Sequence, residues 1–126
     1  MCVLETLPTV AQTGRLLLRG GLLANDAAGF VIEHRDLGVI GKLGFREAEA
    51  RRPRMAVRVD PTLYSPELAT EAVTAALDWA RTDWGRSAVW AAHAPDDVAA
   101  SRVLIDAGFL YTGDREPDGR MMVWLA

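Results

Sequence analysis

Met55-Ala56-Val57-Arg58-Val59, then Asp60-Pro61, then Ser65-Pro66-Glu67-Leu68-Ala69-Thr70-Glu71-Ala72 is the stretch that decides the fold. The first five residues alternate in apolar character and read as a strand, which Asp60-Pro61 ends. Ser65 is a strong N-cap, Pro66 suits the first helical position, and Glu67 suits the positive end of the helix dipole. Leu68, Ala72, Val73, Ala76, Leu77 and Ala80 recur at helical spacing, so this helix lays one face on a sheet. Gly85 ends it. Ala88-Val89-Trp90-Ala91-Ala92 reads as the next strand. Pro95-Asp96-Asp97 starts a second helix, and Gly108 suits its left-handed C-terminal cap. The spacing predicts that Met55–Val59 and Ala88–Ala92 pair in parallel, joined by a right-handed crossover through a helix over Pro66–Asp83.

Outward from that unit, Gly14 to Arg19 is a short apolar run bounded by glycines, read as a first strand. Only ten residues, Gly20 to Gly29, separate it from a second strand at Phe30–Arg35. Asp36-Leu37-Gly38 reads as a turn. A third strand follows at Val39–Phe45, and Arg46–Arg54 reads as a loop before Met55. Residues 1–13 lack periodicity and are expected to be loose. Leu110-Tyr111 and Met121–Leu125 read as two strands around a polar loop holding Pro117, Asp118 and Gly119. The sum is one α+β domain over 1–126, a mixed sheet of six or seven strands with two main helices.

Composition narrows the function classes. Asp and Glu exceed Lys and Arg, for a net charge of −3, which argues against a general nucleic-acid binder. Cys2 is the single cysteine, so an internal disulfide and a cysteine-built metal site are both excluded. A reducing compartment fits, and the N-terminal residues do not read as a signal peptide. No run of about 18 apolar residues is present, so no helical membrane span is expected. The cytoplasm is the expected location.

The Ala69-Thr70-Glu71-Ala72 run, its spacing to Gly108-Phe109, and the opening Thr13, Arg15 and Arg19 together resemble the GNAT N-acetyltransferases. Within them the pattern is similar to the ribosomal-protein-alanine acetyltransferase branch. Gly41 matches the glycine of that family's third strand. The resemblance runs from Thr13 to the C-terminus. It implies a GNAT fold, acetyl-CoA as co-substrate, and acetyl transfer to a primary amine of unknown identity. It also implies that the Met55–Val59 strand splays from its neighbour, with Val57 and Val59 offering backbone groups to the pantetheine arm. The pyrophosphate would lie at the helix N-terminus, on Ser65, Glu67, Leu68, Ala69 and Thr70. Asp97 and Ala100 stand where the family has asparagine and serine on the second helix.

Three departures accompany the resemblance. The family carries Gly-x-Gly before the Ala-Thr-Glu-Ala run, and here Ser65-Pro66-Glu67 replaces it. Glu67 sets a carboxylate where phosphate oxygens would arrive, and Pro66 lacks an N–H. Asp97, acceptor-only when ionised, cannot donate as asparagine does. The two helices that the family places between its first and second strands cannot fit in Gly20 to Gly29. At most Asn25-Asp26-Ala27-Ala28 makes one turn.

For proton transfer, His93 at the end of the fifth strand is the candidate base by position. Glu33 and His34 point to opposite faces of one strand, so only one of them can face a cleft. Leu104 stands where many relatives have a tyrosine, leaving Tyr64 and Tyr111 as candidate donors. No metal site is expected. An uncovered sheet face implies a homodimer. The rival reading is a non-catalytic GNAT-like module that dimerises or binds a protein and has lost coenzyme A. An unrelated ferredoxin-like α+β domain is the third.

Overall fold

The computed structural model describes residues 8–23, 27–47, 52–63, 65–116 and 119–126. The described elements run β1 (Thr9–Gln12), β2 (Leu16–Leu22), β3 (Ala28–His34), β4 (Gly38–Glu47) and β5 (Pro53–Val59). They continue α1 (Pro66–Thr82), β6 (Ala88–His93), α2 (Val98–Asp106), β7 (Leu110–Glu116) and β8 (Gly119–Leu125). The strands form one sheet in the order β1-β2-β3-β4-β5-β6-β8-β7. β1 to β5 pair antiparallel in sequence order. β5 and β6 are parallel, as the strand–helix–strand spacing predicts, and β8 inserts antiparallel between β6 and β7.

The helices begin where their caps dictate. Ser65 accepts from Leu68 N–H, with Pro66 at the start of α1. α1 ends at Thr82, and the chain turns away through Gly85 at φ +69°, in the left-handed region, with Arg86 N–H reaching Ala80 C=O at 2.9 Å. Asp97 caps α2, which opens at Val98, three residues later than Pro95 suggests. Both helices pack against one face of the sheet. Leu68, Ala72, Val73, Ala76 and Leu77 of α1 bury against Leu18, Phe30, Ile32, Leu43 and Phe45. Phe30 meets Trp79 edge-on at 4.8 Å between centroids, and Phe45 lies 5.5 Å from Trp84. Gly41 is forced by proximity, because a Cβ there would sit 2.0 Å from the Arg58 carbonyl oxygen of β5.

Several sequence expectations need correction. Among the described residues the sheet has eight strands, one more than the largest number expected. Thr9–Gln12 belongs to no loose segment: it is β1, paired to β2. Residues 1–7 lie outside the described residues. Pro53 and Arg54, read as loop, start β5, and Arg46 belongs to β4. β7 runs on from Leu110-Tyr111 to Glu116, and β8 starts at Gly119, two residues before the expected Met121. The expected turn at Asn25-Asp26-Ala27-Ala28 falls partly outside the described residues, and Ala28 already opens β3. β2 and β3 form a hairpin with Leu23 N–H on Ala27 C=O at 2.7 Å, which leaves no space for helices there. Among the described residues no helix covers the second face of the sheet.

The turn into β2 is pinned to α1. The Thr13 hydroxyl donates to Glu71, and the Arg15 guanidinium lies 3.2 Å from the same carboxylate. Burial alone would raise the Glu71 carboxyl, but the Thr13 and Arg15 contacts outweigh it and hold it below its ordinary 4.5. A depressed carboxylate adds stability above its ordinary value and loses it as pH falls through the lowered one. We predict that Glu71→Gln costs about 1 kcal/mol or less at pH 7. The gap between the two proteins should close below about pH 4. Urea unfolding at several pH values checks this, and a gap that widens in acid would refute it.

Candidate functional site

β5 and β6 share a single register position, Arg54 with Trp90. Beyond it they diverge toward their C-terminal ends, and the gap opens a cleft of about 970 Å³. Its walls are Met55 to Val59 on one side and Ala91 to Ala94 on the other. Ala69 of α1 and Ala99, Ala100, Val103 and Leu104 of α2 supply the helix side. Backbone groups on the facing edges of β5 and β6 have lost their ladder partner there. An unsatisfied buried backbone group costs about 1–3 kcal/mol, so such an edge suits an extended guest carrying amides.

His93 is the one buried ionisable side chain among the described residues, 6% exposed, and it lines this cleft. Its Nδ1 lies 2.8 Å from the Ala94 carbonyl oxygen and its Nε2 lies 2.9 Å from the Tyr111 hydroxyl. A carbonyl only accepts, so Nδ1 carries a proton. In the neutral ring Nε2 is then the acceptor, and the Tyr111 O–H donates to it. Gly119 makes the arrangement possible: it sits at φ +138°, and a Cβ there would lie 2.0 Å from the His93 carbonyl oxygen. That close approach sets His93 opposite Arg120, whose guanidinium lies 4.6 Å over the Tyr111 ring. The pairing of His93 with Tyr111 crosses 18 residues of sequence and has no local signal.

The structure gathers His93, Val57, Val59, Ala69, Asp97 and Ala100 around one cleft. It does not bring Ser65, Glu67, Leu68 or Thr70 to its walls. Leu68 is buried in the core. Glu67 and Thr70 face a separate open groove of about 1050 Å³ along α1, which also takes in Glu71, Asp78 and Asp83. The first turn of α1 is satisfied by its own side chains. Ser65 Oγ takes the Leu68 N–H and donates to Glu67 at 2.8 Å. Its hydroxyl, and then Glu67's own backbone N–H, lower the Glu67 carboxyl below its ordinary 4.5. Asp97 caps α2 by accepting from Ala100 N–H at 3.0 Å. Neither Glu33 nor His34 lines the cleft. Glu33 pairs with Arg19 at 2.7 Å, and His34 Nδ1 accepts from Asp36 and Leu37 in the turn. Tyr64 lies outside the described residues. No cluster of potential metal ligands occurs among the described residues.

Residues 5–110 match the family model for the GNAT acetyltransferase domain. The chain belongs to the GNAT acetyltransferase family. No curated protein matches it. Among solved structures, this GNAT chain is similar to a spermidine N-acetyltransferase mutant from Vibrio cholerae, at 19% identity and a TM-score of 0.71. That match covers 81% of this chain and 66% of the other. It is also similar to a ribosomal-protein-S5-alanine acetyltransferase from Vibrio fischeri, at 17% identity and 0.69, covering 79% and 61%. A GNAT acetyltransferase from Bacillus anthracis gives 17% and 0.68, covering 77% and 65%. One of the spermidine acetyltransferase structures is dodecameric. At these identities the likeness shows the fold, and with it the mixed sheet read from the sequence. The ferredoxin-like alternative is thereby set aside.

The Asp97 carboxylate should behave first as a helix cap. Asp97→Ala is expected to cost about 1 kcal/mol, and Asp97→Asn only a few tenths, because asparagine caps as well. Denaturant midpoints of the two variants check this, and equal losses would refute it.

Proposed function

We propose that the chain is an N-acetyltransferase whose donor, acetyl-CoA, enters the β5–β6 cleft by its pantetheine arm. The observation that carries this reading is the single-position contact of β5 with β6, which leaves two strand edges facing a cleft beside a buried histidine. The pantetheine amides would pair with the freed edge of β5 around Val57 and Val59, with Ala100 and Asp97 at the α2 side. Bound acetyl-CoA would supply the thioester that a primary amine attacks.

The chain's own part is positioning and proton transfer. His93 cannot take a proton directly while Nε2 holds the Tyr111 hydroxyl. The His93–Tyr111 contact supports a relay instead, with Tyr111, exposed and outside the residues that line the cleft, as its outer member. Tyr111 Oη accepts the proton leaving the amine as its own proton passes to Nε2, and the Ala94 carbonyl holds the ring in place. The reverse movement delivers a proton from Tyr111 to the departing sulfur. Amine proton and thiol proton then balance.

The phosphate end is served differently. Pro66, the Ser65 cap and the Glu67 carboxylate leave the start of α1 without the donors that an anion site needs. That observation favours the non-catalytic module as the second reading, because much of a nucleotide's affinity would be lost. On the primary reading, the pantetheine arm carries the binding. A homodimer is part of the proposal: Leu110 and Leu125, 63% and 61% exposed at the β7–β8 end, are the apolar surface that a second copy would cover.

Calorimetric titration with acetyl-CoA and with S-acetylpantetheine tests the donor site. Both should bind, with affinities within about tenfold of each other, and turnover of a free-amine peptide should fall 10²–10⁴-fold in Tyr111→Phe and His93→Gln. Donor affinity should change little in those variants. No binding of acetyl-CoA at millimolar concentration would replace this reading with the interaction module.

A further inference from the structure

The two ends of the cleft differ in chemistry. Arg54 and Trp90 close one end, as the single paired position of β5 and β6. Counting on from that pair sets Met55 level with Ala91, Ala56 with Ala92, and Val57 with His93. Three residues of strand span about 10 Å, so a blind end of that depth lies between the closure and His93. Side chains alternate across a strand, which puts Met55 and Val57 on the helix side of β5, and Ala91 and His93 on the helix side of β6. Val103 and Leu104 of α2 close the same space from below. Met55, Ala91, Val103 and Leu104 are all buried, between 2% and 7% exposed. Ala91 makes the room: it presents one methyl group where Val89 and His93, its neighbours on that face, carry larger side chains. Among the described lining residues on the helix side of β6, the first hydrogen-bonding side chain met on the way out is His93.

The cations that line the cleft do not reach this space. Arg46 and Arg58 alternate with Phe45 and Val57, so they belong to the opposite face, where both are exposed. A pantetheine arm enters from the open end, and the acyl group is the part that travels farthest in. With the thioester at the level of His93, the acyl group points into the blind end. An acetyl group brings only one methyl group there. Water is a poor filler, because a buried water makes about three hydrogen bonds and these side chains supply no strong partner. Methylene groups do gain from such walls, each by about fourfold in affinity when fully buried.

We propose that the site takes a donor whose acyl group is a straight aliphatic chain longer than acetyl, of the butyryl to hexanoyl class, with its tail between Met55, Ala91 and Leu104. This rests on the donor reading given above and specifies the acyl group. The bond changes are those of any thioester aminolysis. The amine nitrogen bonds to the acyl carbon, the carbon–sulfur bond breaks, and the proton lost by the amine ends on the departing sulfur. The closed ladder at Arg54 and Trp90 sets the upper limit of chain length. A dicarboxylic acyl group is disfavoured, because its second carboxylate would be buried among apolar side chains with no partner.

The test is calorimetric titration with S-acetyl-, S-butyryl-, S-hexanoyl-, S-decanoyl- and S-succinylpantetheine, with no amine present, so binding is read without turnover. The butyryl thioester should bind about tenfold or more tightly than the acetyl one. The decanoyl thioester should gain nothing over the hexanoyl, and the succinyl should bind more weakly than the butyryl. Ala91→Leu fills the blind end and should bring the butyryl-to-acetyl affinity ratio to about one. Met55→Ala probes the same wall without adding volume, and should raise the decanoyl-to-butyryl ratio. Equal affinity along the series, succinyl binding more tightly than butyryl, or ratios unchanged in both variants would each overturn the proposal and leave the donor reading standing. Binding of none of the thioesters would overturn both.

Discussion

Everything else in this fold is arranged around the failure of β5 and β6 to stay paired. A parallel ladder normally continues for several residues, and each position left unpaired gives up backbone hydrogen bonds. Here the ladder stops after Arg54 and Trp90. The strands cannot close again, because Ala69 from α1 and Val103 and Leu104 from α2 pack into the space beneath them. The outer edges are fixed as well. β5 is held by β4 over seven positions, with Gly41 admitting the close approach, and β6 by β8 over six. A gap bounded on both sides by continuous ladders is a durable cleft. On the proposed reading, a guest with its own amides, such as the pantetheine arm, would restore the missing hydrogen bonds.

The sequence made much of this legible, for physical reasons that can be traced. Ser65, Pro66 and Gly108 are local signals whose chemistry acts within one helical turn, so both helices read close to their true bounds. The parallel pairing followed from the strand–helix–strand spacing. β1 was illegible because Thr9–Gln12 owes its strand form to pairing with β2 and has no alternation of its own. The long β7–β8 hairpin hid for the same reason: its polar outer half is strand by register and not by composition.

The candidate site divides in the same way. His93 could be picked by its position at a strand end. Its contact with Tyr111 depends on β8 lying between their strands and on Gly119 yielding space, neither of which has a sequence signature. Ser65-Pro66-Glu67 was legible as a departure from the family pattern, and the structure gives the departure a physical form: the first turn of α1 uses its own hydroxyl and carboxylate as partners. The cations of β4 and β5 were not legible as a group, because Lys42, Arg46, Arg54 and Arg58 become neighbours only when the two strands take this register. By sequence alone Arg46 and Arg54 read as the limits of a loop.

Backbone amide NMR during titration with acetyl-CoA reads the cleft itself. The largest shifts should fall on Ala56 to Val59 of β5, Ala91 to His93 of β6 and Val98 to Ala100 of α2, with the α1 groove at Glu71 and Asp78 unmoved. Shifts confined to that groove, or spread evenly over the surface, would contradict it.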